Sequence, residues 1–512
     1  MHSSFSSRFF FGAGIVVLCL LFSFSATVPA LAVDFKISGV WQVGFEHSNV
    51  IPRGVRHSDS FGAKQRFHLQ LEAIASETLS GTVQFEFGAT DWGRAANGGA
   101  LGADGVIGEV RYAWLDWMVP QTDVKVRMGL QLLRLPGVLS QWGFGPVFGK
   151  EMAGISVSSP LYKRDGLTVD ATAFWARPYN DNSVNTYGGS RNTTHLDNMD
   201  VFALSLPVKG DGFRINPWAM YALIGQYSMT GVSVRAVGGD PGVVAPRGGL
   251  MPILGNGNNY AWFQTRGLTA LDRAWGDGFW LGLAGDVDIT TDLRFGFEGG
   301  YGSVNMGTVK NYTGFDGTRR DFEVRRAGWY AGARLDWAQD WGVPGIIAWY
   351  GSGDDDNPWN GSERLPQYNT PWGVTALGFG GGTYDDNTWK VLGHNPGGMV
   401  AAIAQIDKIS FVENLSHTLR FGMFWGTNSN DMPRRANMPW PNRSDGPMAY
   451  LTTSDNAWEA NLVTTYKIYE NLQVSLEGAY VRLNLDSDTW RGAEKAMYKD
   501  NYRVSAVFTY TF

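Results

Sequence analysis

A single cysteine, Cys19, stands in 512 residues, so no intrachain disulfide can form and a thiolate metal cluster is excluded. Charge is scarce as well: Asp, Glu, Lys and Arg make up 18% of the chain, where ~25% is ordinary. There is no basic run and the formal charge is −6, which removes the electrostatic footing for nucleic-acid binding. Beyond residue 33 no apolar run approaches the ~18 to 20 residues that a membrane-spanning helix needs. Against these absences stand 66 glycines and 14% aromatic residues. The glycines have no period of three, so the chain is not collagen-like, and 44% hydrophobic residues is too many for a disordered segment. Glycine and aromatics rise together while charge falls. That balance points to one large sheet of many strands and tight turns, much of whose outer surface faces something other than water.

Residues 1–32 read as an export signal. Arg8 supplies a positive start, Phe9 to Phe24 an apolar stretch, and Ala30-Leu31-Ala32 a small-residue cleavage site. Cys19 lies inside that stretch behind Leu18, which is not small, so a lipoprotein anchor is not expected. The remaining domain, 33–512, has no cysteine and carries 41 basic against 48 acidic residues, a net of −7.

Within this domain the recurring pattern is alternation with period 2, the mark of a strand with two unlike faces. Phe35, Ile37, Trp41, Val43 and Phe45 alternate with Lys36, Ser38, Gln42 and Glu46; Phe67, Leu69 and Leu71 with Arg66, His68, Gln70 and Glu72; Val83, Phe85 and Phe87 with Gln84 and Glu86. The pattern continues through Val124–Leu132, Leu293–Phe297, Trp329–Trp337 and Leu419–Trp425 to the chain end. In 474–485 it breaks, since Val474, Leu476 and Tyr480 are even while Leu483 and Leu485 are odd, so a bulge near Val481 is expected. Eight short polar turns alternate with nine long Gly/Asn/Asp/Pro-rich loops, which gives about eighteen strands, with sixteen as the alternative. A soluble β-sandwich or propeller also alternates, but it has no reason to place every short turn at one end. The pattern fits an all-β transmembrane antiparallel barrel of the outer membrane, with short periplasmic turns and long extracellular loops. Trp114, Trp117, Trp337, Trp341, Trp349 and Tyr350 are expected in its interfacial girdle.

The final strand, Tyr502, Val504, Ala506, Phe508, Tyr510 and Phe512, resembles the C-terminal strand of Gram-negative outer-membrane porins. The resemblance implies that Phe508, Tyr510 and Phe512 form the signal read by the barrel-assembly machinery, and that this strand closes against the first. Arg127-Met128-Gly129-Leu130-Gln131 resembles the fifth strand of trimeric general porins, which precedes a third loop folded into the pore; here that loop is expected at 134–152. The layout is most similar to the homotrimeric porins of sulfate-reducing bacteria. What this implies is a homotrimer in outer-membrane lipid and lipopolysaccharide, passing small hydrophilic solutes. General porins usually have sixteen strands and an acidic third loop, whereas this loop has only Glu151, so ion preference does not carry over.

Parity places the lumen-facing charges. Lys64, Arg66 and His68, then Arg111, Lys125 and Arg127, form a cationic patch, with Glu72, Glu86 and Glu109 on the same faces; the third loop adds Arg134, Lys150 and Glu151. These twelve are the expected pore constriction, since rings of charge set selectivity in a narrow pore. Seven cations against four acids point to a weak anion preference. The competing reading is that the charges pair across strands and only keep the lumen wet.

An enzyme is not expected. No histidine stands in a metal-ligand spacing and there is no G-x-S-x-G elbow. His68 near Glu72 reads as a lumen wall, and a barrel hydrolase is the weakest alternative. Asp354-Asp355-Asp356-Asn357 lacks the spacing of a calcium loop and reads as an exposed acidic loop tip. No metal or cofactor is expected. Aromatics in the third loop leave a sugar- or organic-anion-selective channel as the second transport reading.

Overall fold

The computed structural model describes residues 33–50, 60–95, 98–102, 105, 108–180, 185–186, 190–191, 198–225, 228, 249–250, 272–313, 318–368, 372–384, 390–436, 450–496 and 498–512. The signal segment 1–32 lies outside the described residues, as does most of the expected loop 228–277.

Among the described residues eighteen strands form one closed antiparallel barrel. They are β1 (Asp34–Ser48), β2 (Ser60–Ser76), β3 (Leu79–Asp91), β4 (Glu109–Met118), β5 (Lys125–Pro136) and β6 (Phe144–Arg164). Next come β7 (Leu167–Asn180), β8 in two pieces (Asn198–Ser205 and Val208–Gly210), β9 (Phe213–Gly225), β10 (Trp275–Asp288), β11 (Leu293–Thr313) and β12 (Arg319–Trp337). The last are β13 (Val343–Gly351), β14 (Met399–Val412), β15 (Leu415–Gly426), β16 (Asn456–Tyr469), β17 (Leu472–Asn484) and β18 (Asp500–Thr511). Pro207, which has no N–H to give a ladder, marks the break in β8. The barrel closes where β1 pairs with β18, from Val40 opposite Thr511 to Ser48 opposite Arg503, and Gly39 and Phe512 exchange backbone hydrogen bonds beyond that. No lipid-facing edge is left unpaired.

The eight short turns fall where the sequence predicts them, all at one end. On the outer wall Phe35, Ile37, Phe279, Leu281, Trp329, Phe421 and Leu476 are exposed, the apolar face that lipid requires. Phe508, Tyr510 and Phe512 are exposed there too, and the Phe512 ring stacks on Phe67 at 6.1 Å.

Four expectations need correction. The segment 134–152 is not one loop, because β5 runs to Pro136 and β6 starts at Phe144, leaving 137–143 between them. Arg134, Lys150 and Glu151 therefore sit on the strands of a hairpin. No bulge occurs at Val481, for the pairing of β17 with β16 and β18 runs through it without a shift. Val481, Leu483 and Leu485 are buried inside, so the strand keeps its parity and its inner face turns apolar. Trp114 and Trp349 are not girdle residues: Trp114 lies on the inner face beside Asp116, and Trp349 is buried against Trp372. Asp354 is not at an exposed tip, since it is buried and accepts from Ser362 and Tyr450.

Candidate permeation path

What decides the shape of the lumen is two inward segments that the strands alone do not reveal. The tip of the third loop reaches the wall at β11, where the N–H groups of Val138 and Leu139 both donate to Glu298 Oε2 (2.5 and 3.1 Å). The connection from β13 to β14 is far longer, and its described residues, 352–368, 372–384 and 390–398, pack inside the barrel. Leu365, Trp372, Val374, Leu377, Phe379 and Val391 are almost fully buried.

A loop inside a barrel must still satisfy its backbone. Here wall charges do so. Glu459 on β16 accepts from Leu377 N–H (2.8 Å), Gly378 N–H (3.1 Å) and the Thr375 hydroxyl (2.5 Å). Glu477 on β17 accepts from Thr383 N–H (2.9 Å) and from Arg503 (2.6 Å), whose guanidinium also donates to Ala376 O (3.0 Å). Arg326 on β12 donates to the carbonyls of Arg364 and Leu365. Such charge-assisted bonds are roughly twice as strong as neutral ones. Gly373 adopts φ +54°, and a Cβ there would lie 2.5 Å from the Trp142 ring, so the two inward segments meet at a glycine.

The inner wall beneath these segments is apolar. One cluster joins Phe148, Phe174, Trp280, Met220, Phe322 and Tyr368; a second joins Trp349, Trp372, Phe379, Phe424, Leu392 and Val481. Strands from β6 round to β17 thus have an apolar inner stretch toward the loop end. Leu133 and Leu135 of β5 join the first cluster as well, while the inner faces of β1 to β4 remain polar and partly exposed. The lumen is therefore eccentric.

The expected constriction residues line this polar wall, but at two levels. His68 Nε2 is 2.9 Å from Glu86 Oε2, and Arg111 meets Glu151 at 2.7 Å and Glu86 at 3.8 Å. Arg111 Nη1 lies 3.3 Å from His68 Nδ1 and 3.1 Å from Nε2, against the imidazole ring. Arg66 donates to Gln42 at 2.8 Å, and its guanidinium carbon lies 5.3 Å from the centre of the Tyr384 ring, a cation–π contact. Arg127 is on a second level near the short turns. It forms two 2.7 Å bonds with Asp116, stacks on Trp114 at 4.3 Å, and shares Asp116 with Lys125 at 3.4 Å. Lys64 faces Asp91 across the ladder, Glu72 faces Lys36, and Glu109 faces Glu86. Arg134 donates to Trp142 O at 3.1 Å on the inward hairpin, where Lys150 lies opposite Leu133. At the level of Arg111, then, cations and acids pair nearly one to one.

Sequence reasoning missed Tyr112, Trp114 and Asp116 because the β3–β4 register shifts between Gln84 and Phe85, which turns even residues of β4 inward while Arg111 stays there as well. It missed Tyr384, Glu298, Glu459 and Glu477 because nothing in a linear pattern says which loop enters a barrel. A lone acid among alternating apolar residues, as Glu298 is in β11, was the available signal. Among the described residues no group of His, Cys, Asp and Glu has a metal-binding arrangement.

No family model matches the chain, and no curated protein sequence matches it. Among solved structures it is similar to the outer-membrane protein OpdK of Pseudomonas aeruginosa (TM-score 0.47, 12% identity, covering 94% of this chain and 98% of that one). It is also similar to OpdQ of Pseudomonas aeruginosa (0.46, 13%, 94% and 98%) and to a BenF-like porin from Pseudomonas fluorescens Pf-5 (0.47, 10%, 94% and 98%).

Proposed function

We propose that this chain is an outer-membrane porin that passes small hydrophilic solutes and ions by diffusion, and that it is not an enzyme. The observation that carries this reading is the closed barrel itself: apolar outside, with a polar and partly exposed inner wall over β1 to β4. Export by a cleaved signal and recognition of the last strand by the barrel-assembly machinery belong to the same reading, as does a homotrimer. Ion preference is weakly anionic. The decisive experiment is reconstitution into planar bilayers under a potassium chloride gradient: discrete conducting steps are expected, with a reversal potential slightly on the chloride side. Absence of steps from correctly folded, heat-modifiable protein would overturn the channel reading.

A second reading, a substrate-selective channel, is favoured by one feature. The inward segments narrow the path to one wall, where Tyr384, Arg66, Arg111 and Tyr112 put rings and guanidinium groups side by side. Liposome swelling separates the two, since a diffusion pore ranks sugars by size and a selective one does not.

A further inference from the structure

The charges of the lumen wall cancel over much of the barrel. On β9 to β15, Arg214, Arg294, Arg334 and Arg420 stand with Asp286, Asp288, Asp336 and Asp407, four against four. At the level of Arg111, Arg66 and Arg111 stand with Glu86 and Glu151, and beyond them Lys150 and Glu109 add one charge of each sign. Lys64 faces Asp91 and Glu72 faces Lys36, again one of each. Side chains of these types ordinarily keep their charge between about pH 5 and 8. His68 is the exception at the level of Arg111, since histidine ordinarily gains its charge inside that range.

His68 stands on β2, opposite Val40 of β1 on one side and Glu86 of β3 on the other. Its Nε2 is 2.9 Å from Glu86 Oε2, while Nη1 of Arg111, on β4, lies 3.1 Å from Nε2 and 3.3 Å from Nδ1. A carboxylate only accepts hydrogen bonds and a guanidinium only donates them. The ring therefore sits between one group that gains from a positive imidazole and one that loses by it. Val40 and Gln42, which β1 places beside the ring, do not titrate; Tyr112 lies next to Arg111 and Tyr384 over Arg66. His68 is 11% exposed, but Glu86, Arg111 and Glu151 stand at 22%, 24% and 24%, so lumen water reaches the cluster.

We propose that His68 sets the ion preference of the channel according to pH. The neutral ring leaves the level of Arg111 balanced, and the protonated ring adds one positive charge that no acid there offsets, so anions are favoured as the pH falls. The proposal rests on the channel reading and names the residue that regulates its weak anion preference. Protonation also brings two cations into contact, which drives Arg111 off the ring toward Glu151 and the lumen. One level suffices, because a ring of charge sets selectivity where a pore is narrow. The other described histidines lie elsewhere: His47 and His417 on the outer wall against Tyr502 and Thr464, and His394 in the inward segment beside Lys390. Among the described residues His68 is the one histidine on the polar lumen wall.

The test uses full-length protein in planar bilayers under a potassium chloride gradient, with the reversal potential read between about pH 5.5 and 8. In the wild type the chloride-to-potassium permeability ratio should rise about twofold in one step as the pH falls, the scale of one added charge in a watery pore. H68Q should hold the high-pH ratio throughout and H68K the low-pH ratio, so the two variants bracket the wild type, and either is informative if the other fails to fold. H394Q and E363Q, which change titratable groups of the inward segment, should keep the step. A flat wild-type profile, a step that survives in H68Q, or one lost in H394Q or E363Q instead overturns the role of His68 while leaving the channel intact. A wild type that does not conduct overturns the channel reading and the proposal with it.

Discussion

Arg111 and Glu459 show how the same kind of bond serves two ends. Arg111 faces the open wall with Glu151, Glu86 and His68 around it, so its charge is balanced and wet. Changing Arg66, Arg111 and Arg127 together to Ala leaves Glu86, Glu151 and Asp116 without their cations, and the reversal potential should move toward potassium; an unchanged value would mean that these residues do not filter ions. Glu459 instead holds a loop, accepting two backbone N–H groups and a hydroxyl. Truncating it to Ala strands those donors, at a cost of about 1–3 kcal/mol for each buried unsatisfied group. We expect E459A to give noisy and larger conductance steps and faster proteolysis within 372–398, while E459Q, which keeps one acceptor, lies between. Nine of the twelve expected charged residues, from Lys64 to Arg127, were placed by parity, because period 2 in a strand leaves a side chain only two choices; Arg134, Lys150 and Glu151 were assigned to a loop and stand instead on the strands of the hairpin. Their partners were not legible, since Asp116 and Tyr384 depend on a register shift and on a loop path.

At the scale of elements, the connection from β13 to β14 behaves as a packed layer. Its acidic stretch is folded: Asp354 is buried against Tyr450, and Glu363 accepts from Asp355 N–H at 3.0 Å. Burial, with Asp354 and Asp355 nearby, pushes the Glu363 carboxyl up to about 7, against an ordinary 4.5. Between those two values the packed loop holds a proton that the released loop has lost. Packing should therefore weaken as pH rises through this window and change no further above it. Proteolysis or hydrogen exchange of 352–368 at pH 5, 6, 7 and 8 checks this; a flat profile, or one that persists in E363Q, would assign the effect elsewhere. The strands and turns were legible because each turn breaks a run of alternation. β17 shows where that legibility ended. Its inner face is apolar beneath this loop, so Val481 and Leu483 looked like a slip of register when only the covering was unknown.

For the whole molecule, the outer wall near the seam carries Phe35, Ile37, Trp41 and Phe87, all exposed, with Val83 and Phe85 beside them on β3. If this face joins three copies, unheated detergent electrophoresis should show a band near three times the monomer mass that collapses on boiling. Replacing Phe35 and Ile37 with Lys should abolish that band without loss of heat-modifiable monomer; its persistence would place the contact on another face. The inward layer has a consequence of a different kind, for biogenesis. Its seats come from both chain ends, with Tyr384 lying on Gly44 of β1 and Arg503 of β18 holding Ala376. The layer cannot finish docking until the seam has joined, and until then Ile347, Trp349, Phe424 and Val481 line a bare cavity. Joining the seam therefore completes the seats on which the inward layer rests. A chain whose seam joins without that layer is, on this geometry, not a wider version of the same channel but an unfinished cylinder with a greasy bore.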